Sequence, residues 1–231
     1  MGGREEKTAH AVLVWDWPLR AFHWLLAASA TGSWATHYAG LDWFQWHRWF
    51  GYTTLLLVLF RVAWGFVGPR HARFANFVRG PRTVISYLRC AKSPAFPGHS
   101  PLGALSVLVL LASLILQAAT GLFANDEIAN AGPFFGWISQ PSSNRVTHLH
   151  ELNSKVLLGL IVLHVVAVAW YDLGRRAGLT RAMLTGRKML LPPNEGIANS
   201  RAFSAGVIIA VLGAALALAI RAAPEATFSF F

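Results

Sequence analysis

The chain has 231 residues, of which 55% are hydrophobic and 13% are charged, and its formal net charge at pH 7 is +10. Average chains carry about 25% charged residues, so this composition excludes an ordinary soluble domain. The apolar residues cluster into runs near the roughly 17–25 residues that a helix needs to cross a bilayer. We therefore predict an integral membrane protein of the all-α class, because helices satisfy their own backbone polar groups in lipid.

Five apolar runs are predicted to be membrane-spanning helices. They cover about 20–39, 47–67, 102–124, 148–172 and 203–220. The loop 125–146 contains Pro133 and Pro141 and is predicted to be irregular. The stretch PRTVISYLR (81–89) is predicted to form a short helix at the membrane surface.

Positive charge is concentrated in two loops. The segments 68–100 and 174–202 each contain six Lys or Arg residues, with no acidic residue in the first and only Glu195 in the second. Cytoplasmic loops of membrane proteins are enriched in Lys and Arg. We therefore place both loops and the N-terminus in the cytoplasm, and the C-terminus in the periplasm. The same distribution favours a solvated cytoplasmic face over a nucleic-acid-binding surface as the explanation of these charges.

The chain has one cysteine, Cys90. A lone cysteine excludes an intramolecular disulfide, an iron–sulfur cluster and the C-x-x-C-H attachment of c-type haem. Any haem in this protein must therefore be bound without a covalent link.

Six of the nine histidines lie in or beside predicted spans, where ionisable side chains are candidates for function. They are His23, His37, His47, His148, His150 and His164. On a helix, the step from His150 to His164 ends about 40° short of four full turns and advances about 21 Å. These two imidazoles therefore share a face, one near each membrane surface. His148 lies about 160° away from His164 and is interpreted as an interfacial histidine.

The two histidines of the fourth span need partners from other helices to bind a metal. His23 is level with His164, and His47 is level with His150, which gives two pairs at two depths. His37 lies 14 residues after His23, the same step that separates His164 from His150. Spacing alone therefore also allows His37, in place of His47, to pair with His150.

Two histidine pairs at two depths favour haem iron as the metal. A zinc site gathers its ligands around one point, whereas a porphyrin leaves two positions of iron for opposed imidazoles. Gly51 and Gly159 lie near the ligands and leave room for a macrocycle. Arg61 follows His47 by 14 residues and is predicted to bind a haem propionate; an arginine that snorkels to the membrane surface is the alternative.

Three stretches carry a family resemblance: VWDWPLRAFHWLL, WHRWFGYTTLLLVLFRVAWGFVG and HLHELNSKVLLGLIVLHVVAVAWYDL. Over about 12–190 the chain resembles the bacterial cytochrome b561 family, which includes the cytochrome b subunits of Ni,Fe-hydrogenases and formate dehydrogenases. The resemblance implies axial ligands from the first, second and fourth helices. These map onto the pairs His23/His164 and His47/His150, which leaves His37 out, and the family's second-helix arginine maps onto Arg61.

The expected architecture follows from the resemblance and the spans together. Residues 1–190 are predicted to form a dihaem cytochrome b domain, a four-helix transmembrane haem-binding bundle. Residues 191–231 are predicted to add a linker and a fifth transmembrane helix. That helix has a face of small residues that could pack against a partner helix, so a homodimer stays open. The small residues are Gly206, Ala210, Gly213, Ala214 and Ala217.

The expected function is electron transfer, because iron with two histidine ligands has no open site. The resemblance implies a protein of the bacterial inner membrane that holds two haem b groups and exchanges electrons with the quinone pool. Its other partner would be a periplasmic c-type cytochrome, or a dehydrogenase or hydrogenase subunit. Two locations remain candidates for the quinone site. One is beside the inner haem near Arg61, and the other is the outer loop with Asp126 and Trp137.

Two alternatives to this function stay open. One is a self-contained superoxide:quinone oxidoreductase, an activity associated with some family members. It would need a cationic outer pocket near His47, to which Arg48, Arg145 and Lys155 could contribute. The other is a membrane protein without haem, whose histidines are structural.

Overall fold

The computed structural model describes residues 10–89, 96–128, 130–190 and 196–224, and within them the chain is mainly helical. The helices are α1 (Trp17–Tyr38), α2 (Phe44–Val67), α3 (Phe74–Phe77), α4 (Pro81–Arg89), α5 (Pro101–Gly121), α6 (Gln140–Ala169), α7 (Leu179–Thr185) and α8 (Ala202–Arg221). A π-helical turn, Trp170–Gly174, continues α6. Two short strands are β1 (His10–Leu13) and β2 (Arg187–Leu190). Cys90 and Glu195 lie outside the described residues.

Four helical segments are long and apolar enough to cross a membrane: Phe44–Val67, Pro101–Gly121, Gln140–Gly174 and Ala202–Arg221. The chain is therefore a multi-pass membrane protein. α1 has 22 residues, which is about 33 Å of helix, but it is not one of these four. The count of five spans stays a prediction, and so do the bundle arrangement, the division at residue 190 and the side on which each terminus lies.

The long helices expose large apolar side chains. On α8, Phe203 is 86% exposed, and on α6 Leu163 and Val166 are also exposed. Soluble monomers rarely expose apolar patches larger than a few hundred Å². Surfaces of this kind are suited to lipid, in agreement with the predicted class of protein.

α6 begins eight residues before the predicted fourth span. Pro141 indicated a loop, but it lies in the first helical turn, where a proline's missing N–H group costs nothing. The backbone N–H of Ser143 donates to the Ser139 carbonyl at 2.9 Å and closes this turn. The prediction of an irregular loop over 125–146 is therefore wrong for 140–146. The helix predicted at 81–89 is present as α4.

The described residues fall into two compact units, and the first consists of segments from Met1–Ala21, Ala63–Val107 and His164–Ala205. In this unit β1 pairs antiparallel with β2, with His10 opposite Leu190 and Leu13 opposite Arg187. The Val14 N–H extends the contact by donating to the Gly186 carbonyl at 2.8 Å. The sequence pattern predicts no strand in either segment.

A buried aspartate joins two segments of the first unit. Asp16 Oδ1 accepts from the backbone N–H of Leu19 at 2.9 Å, and so caps the start of α1. The same oxygen accepts from the indole Nε1 of Trp64 at 3.0 Å. This carboxylate therefore fixes the first turn of α1 against the end of α2.

The second unit consists of segments from Phe22–Val62, Leu108–Leu163 and Gly206–Phe231. In it α1 packs closely on α2: the Ser29 hydroxyl donates to the Phe50 carbonyl at 2.7 Å. A Cβ atom at Gly32 would lie 2.6 Å from the ring of Phe50. Only a glycine at this position allows the two helices to approach to this distance.

Candidate functional site

The predicted site residues lie on α1, α2 and α6. The four histidines proposed as ligands, His23, His47, His150 and His164, are all half-buried. His47 and His150 belong to the second unit, whereas His23 and His164 belong to different units. The pairing of His23 with His164 stays a prediction.

The structure brings His47 and His150 together. Their ring centroids are 6.4 Å apart, and the ring planes lie at 79° to each other. Bonds from a metal to imidazole nitrogen are about 2 Å long, so two rings that share one metal ion have centroids roughly 6 Å apart. The spacing of these two rings therefore suits a single metal ion between them.

Both imidazoles are held through Nδ1 by a backbone carbonyl. His47 Nδ1 donates to the Ser33 carbonyl at 2.8 Å, and His150 Nδ1 donates to the Gln117 carbonyl at 3.0 Å. A carbonyl oxygen only accepts, so each Nδ1 carries the hydrogen and each Nε2 keeps its lone pair. Metal-binding histidines are usually oriented in this way.

A buried chain of hydrogen bonds between α5 and α6 ends at His150. The Ser113 hydroxyl donates to Asn153 Oδ1 at 3.1 Å. Asn153 Nδ2 donates to Gln117 Oε1 at 2.6 Å. Gln117 Nε2 then lies 3.0 Å from His150 Nε2 and must be the donor, because its own oxygen is occupied as an acceptor. His150 Nε2 is thereby kept as an acceptor, the form in which it can bind a metal.

We expect Asn153→Leu to lower the free energy of unfolding by roughly 1–3 kcal/mol, because it leaves the half-buried Gln117 oxygen and the buried Ser113 hydroxyl without these partners. Thermal unfolding of the purified protein measures this change. Ser154→Ala is the matched control, since among the described residues the Ser154 hydroxyl bonds only to the Glu151 carbonyl of its own helix. Equal stability of the Asn153 variant and the control would contradict a structural role for the chain of hydrogen bonds.

Three glycines lie on the helices that form the site, Gly51 on α2, Gly121 on α5 and Gly159 on α6. A Cβ atom at Gly51 or Gly159 would meet no heavy atom within 4 Å, so both predicted positions border open space. At Gly121, the last residue of α5, a Cβ atom would lie 3.0 Å from His150 Cε1. Gly121 thus allows the close approach of the His150 ring to α5.

Arg61 is buried in α2, with only 2% of its surface exposed. An arginine that snorkels to the membrane surface would expose its guanidinium. The burial therefore excludes the snorkelling alternative, and the predicted contact with a propionate stays a prediction.

The remaining histidines near the site are exposed. The His37 ring centroid is 5.8 Å from that of His47, but the His37 side chain is exposed, as is that of His148. Arg48, Arg145 and Lys155 are exposed as well.

A polar cavity of about 300 Å³ lies in the second unit. Its lining includes the carboxylates of Asp126, Glu127 and Glu151, together with His148. Carboxylates repel anions. This cavity is therefore unsuited to the anionic substrate that the superoxide alternative requires.

Sequence reasoning missed the residues that hold the two rings, namely Ser33, Ser113, Gln117 and Asn153. One signal was available. Ser113, Gln117 and Thr120 recur at steps of four and three residues on an otherwise apolar helix, which places them on one face. Asn153 follows His150 by three residues and shares its face.

The chain is similar to known proteins over most of its length. The family described as prokaryotic cytochrome b561 matches residues 14–186. A protein of Azotobacter chroococcum mcd 1 named "Probable Ni/Fe-hydrogenase B-type cytochrome subunit" is 28% identical over 223 residues, which cover 81% of this chain and 92% of that protein. Proteins of the same name from Azotobacter vinelandii and Rhizobium leguminosarum bv. viciae are 27% and 24% identical, with the same coverage. No solved structure is significantly similar to the chain.

Proposed function

The chain belongs to the prokaryotic cytochrome b561 family, and on that premise we propose that it is a dihaem membrane cytochrome that carries electrons between a redox partner and the quinone pool. The observation that carries the proposal is the 6.4 Å separation of the His47 and His150 rings. Their Nδ1 atoms are occupied by backbone carbonyls, so each Nε2 carries the lone pair that a metal needs.

Two haem b groups are the proposed cofactors, and each supplies a one-electron carrier when bound. His47 and His150 would hold one group, and His23 and His164 would hold the other. An iron held by two imidazoles would have no position left for a substrate. The absence of an open position favours electron transfer over catalysis at the metal.

The surrounding residues orient the ligands and accommodate the cofactor. The Ser33 and Gln117 carbonyls hold the His47 and His150 rings through Nδ1. Gly51 and Gly159 border open space, and Arg61 supplies a buried positive charge for a propionate. Because His150 Nε2 has one lone pair, the Gln117 side-chain amide must give up its bond to that atom when a metal binds there. The bond from Nδ1 to the Gln117 carbonyl is unaffected by that exchange.

We propose a Ni/Fe hydrogenase as the redox partner, because three relatives carry the name of a hydrogenase cytochrome subunit. A periplasmic c-type cytochrome or a dehydrogenase subunit are the other candidates. In this arrangement the protein lies in the bacterial inner membrane, takes electrons from the hydrogenase and passes them to quinone. The quinone site is proposed near Arg61 or at the outer loop.

The proposed partner is tested by purifying the chain from its host in mild detergent. We expect a Ni/Fe hydrogenase to copurify, and hydrogen gas to reduce the haem of the complex as seen in the visible α-band. The isolated chain is the control and should stay oxidised under hydrogen. A complex whose haem is reduced by another donor, and not by hydrogen, would contradict the hydrogenase assignment.

The superoxide alternative predicts a different result from the isolated chain. Superoxide mixed with it in a stopped-flow instrument would reduce the haem rapidly. We expect no such reduction, because the polar cavity of the second unit is lined by Asp126, Glu127 and Glu151, which repel an anion.

A further inference from the structure

We propose that a cavity in the basic segment 68–100 binds the phosphate of an anionic phospholipid headgroup. The cavity lies within the first unit and has a volume of about 100 Å³. Its lining includes Arg70, His71, Asn76, Arg79 and His99. None of these residues is part of the proposed haem sites.

The charge of the lining indicates an anion. Two arginines and two histidines line the cavity without a carboxylate among the lining residues, and the whole segment 68–100 contains no Asp or Glu. A guanidinium offers several donors in one plane, which match the oxygens of a phosphate. A neutral ligand would make no use of two such groups.

Several contacts hold the cavity walls in place. Asn76 Nδ2 donates to the Arg70 carbonyl at 2.7 Å and fixes the backbone there. The His99 ring packs against Phe77, with ring centroids 4.5 Å apart, and against Trp15 at 4.8 Å. At Gly98 a Cβ atom would lie 3.2 Å from His71 Nδ1, so this glycine keeps the wall close to the imidazole. The walls are therefore built from packed rings and are not a loose loop.

The neighbouring helix indicates that the anion belongs to a lipid. α4 begins two residues after Arg79, has no buried residue, and exposes the apolar side chains of Ile85 and Leu88. Arg82 and Arg89 lie on the same short helix. A helix with an exposed apolar face and basic residues lies at a membrane surface. The adjacent cavity is thus placed where phospholipid headgroups are, and basic residues there attract anionic lipids.

Lipid titration followed by native mass spectrometry tests the proposal on the purified haem-containing protein in a neutral detergent. Phosphatidylglycerol is the probe, and phosphatidylcholine is the zwitterionic comparison. We expect phosphatidylglycerol to occupy one site of highest affinity. The double variant Arg70→Gln/Arg79→Gln should weaken that site by about thirtyfold, since each guanidinium that lines the cavity and contacts the phosphate directly contributes a factor of about five.

The matched control is Arg73→Gln/Arg82→Gln, which removes the same charge from exposed residues that do not line the cavity. It should change the affinity by less than about threefold. The variant Arg70→Lys/Arg79→Lys, which keeps the charge and the fold but loses the planar donors, should give an intermediate affinity. Equal weakening by the two Gln double variants would overturn the proposal.

The same titrations separate a lipid from a free anion. Inorganic phosphate, added in place of lipid and monitored by thermal unfolding, should stabilise the protein far less than phosphatidylglycerol. Stabilisation by inorganic phosphate that equals that by the lipid would overturn the assignment to a headgroup, and so would equal affinity for phosphatidylcholine.

Discussion

Replacing His47 or His150 with alanine is expected to remove one of two haems and about half of the haem absorbance per chain. The physical reason is that in the proposed site both imidazoles would hold the same iron, so that either one alone would bind the haem weakly. A pyridine haemochromogen assay on the purified variants, normalised to protein, measures the loss. Each variant should keep the spectrum of the other haem.

Two control variants make this result specific. His37→Ala and His148→Ala remove exposed imidazoles near the same site and should retain the full haem content. His37 is the sharper control, because its ring centroid lies only 5.8 Å from that of His47. Loss of haem in His37→Ala with retention in His47→Ala would reverse the pairing and restore the alternative that spacing alone left open.

Replacing His23 or His164 with alanine is expected to remove the other haem. These variants should lack the spectral and potentiometric component that His47→Ala and His150→Ala retain. The double variant His150→Ala/His164→Ala takes one ligand from each pair and should be colourless, whereas His47→Ala/His150→Ala removes a single pair and should keep one haem. A redox titration of each variant separates the two components.

The double variants provide the critical comparison. If His23→Ala loses the same component as His150→Ala, the assignment of two separate pairs is contradicted. If His47→Ala/His150→Ala is colourless while it still folds, as judged by circular dichroism, the two sites are not independent.

The apolar runs predicted the helices well because their lengths match what a membrane requires. α5 and α8 begin and end within three residues of their predicted limits. The start of α6 was wrong, since the helix continues through polar residues that carry no apolar pattern and Pro141 is compatible with a first turn. β1 and β2 were missed because a four-residue strand gives no reliable period. Their pairing also joins segments that are far apart along the chain.

The spacing of histidines along the predicted helices was sufficient to predict that His47 and His150 lie near each other. Helical geometry placed His47 level with His150, and the structure brings these rings to 6.4 Å. The groups that orient them were not predictable in the same way. The carbonyls of Ser33 and Gln117 orient the rings, and because every residue possesses a carbonyl, no side-chain pattern reveals these two contacts. Asn153 and Gln117 have ordinary amide side chains, and only the packing of α5 on α6 shows that they connect to His150.

The haem-to-protein ratio of the purified wild-type chain decides whether the protein is a dihaem cytochrome. We expect two haem b groups per chain, both six-coordinate and low-spin in the electron paramagnetic resonance spectrum. Acid–acetone extraction should remove both, because Cys90 cannot supply a C-x-x-C-H attachment. A ratio of one, or a colourless folded protein, would contradict the dihaem assignment.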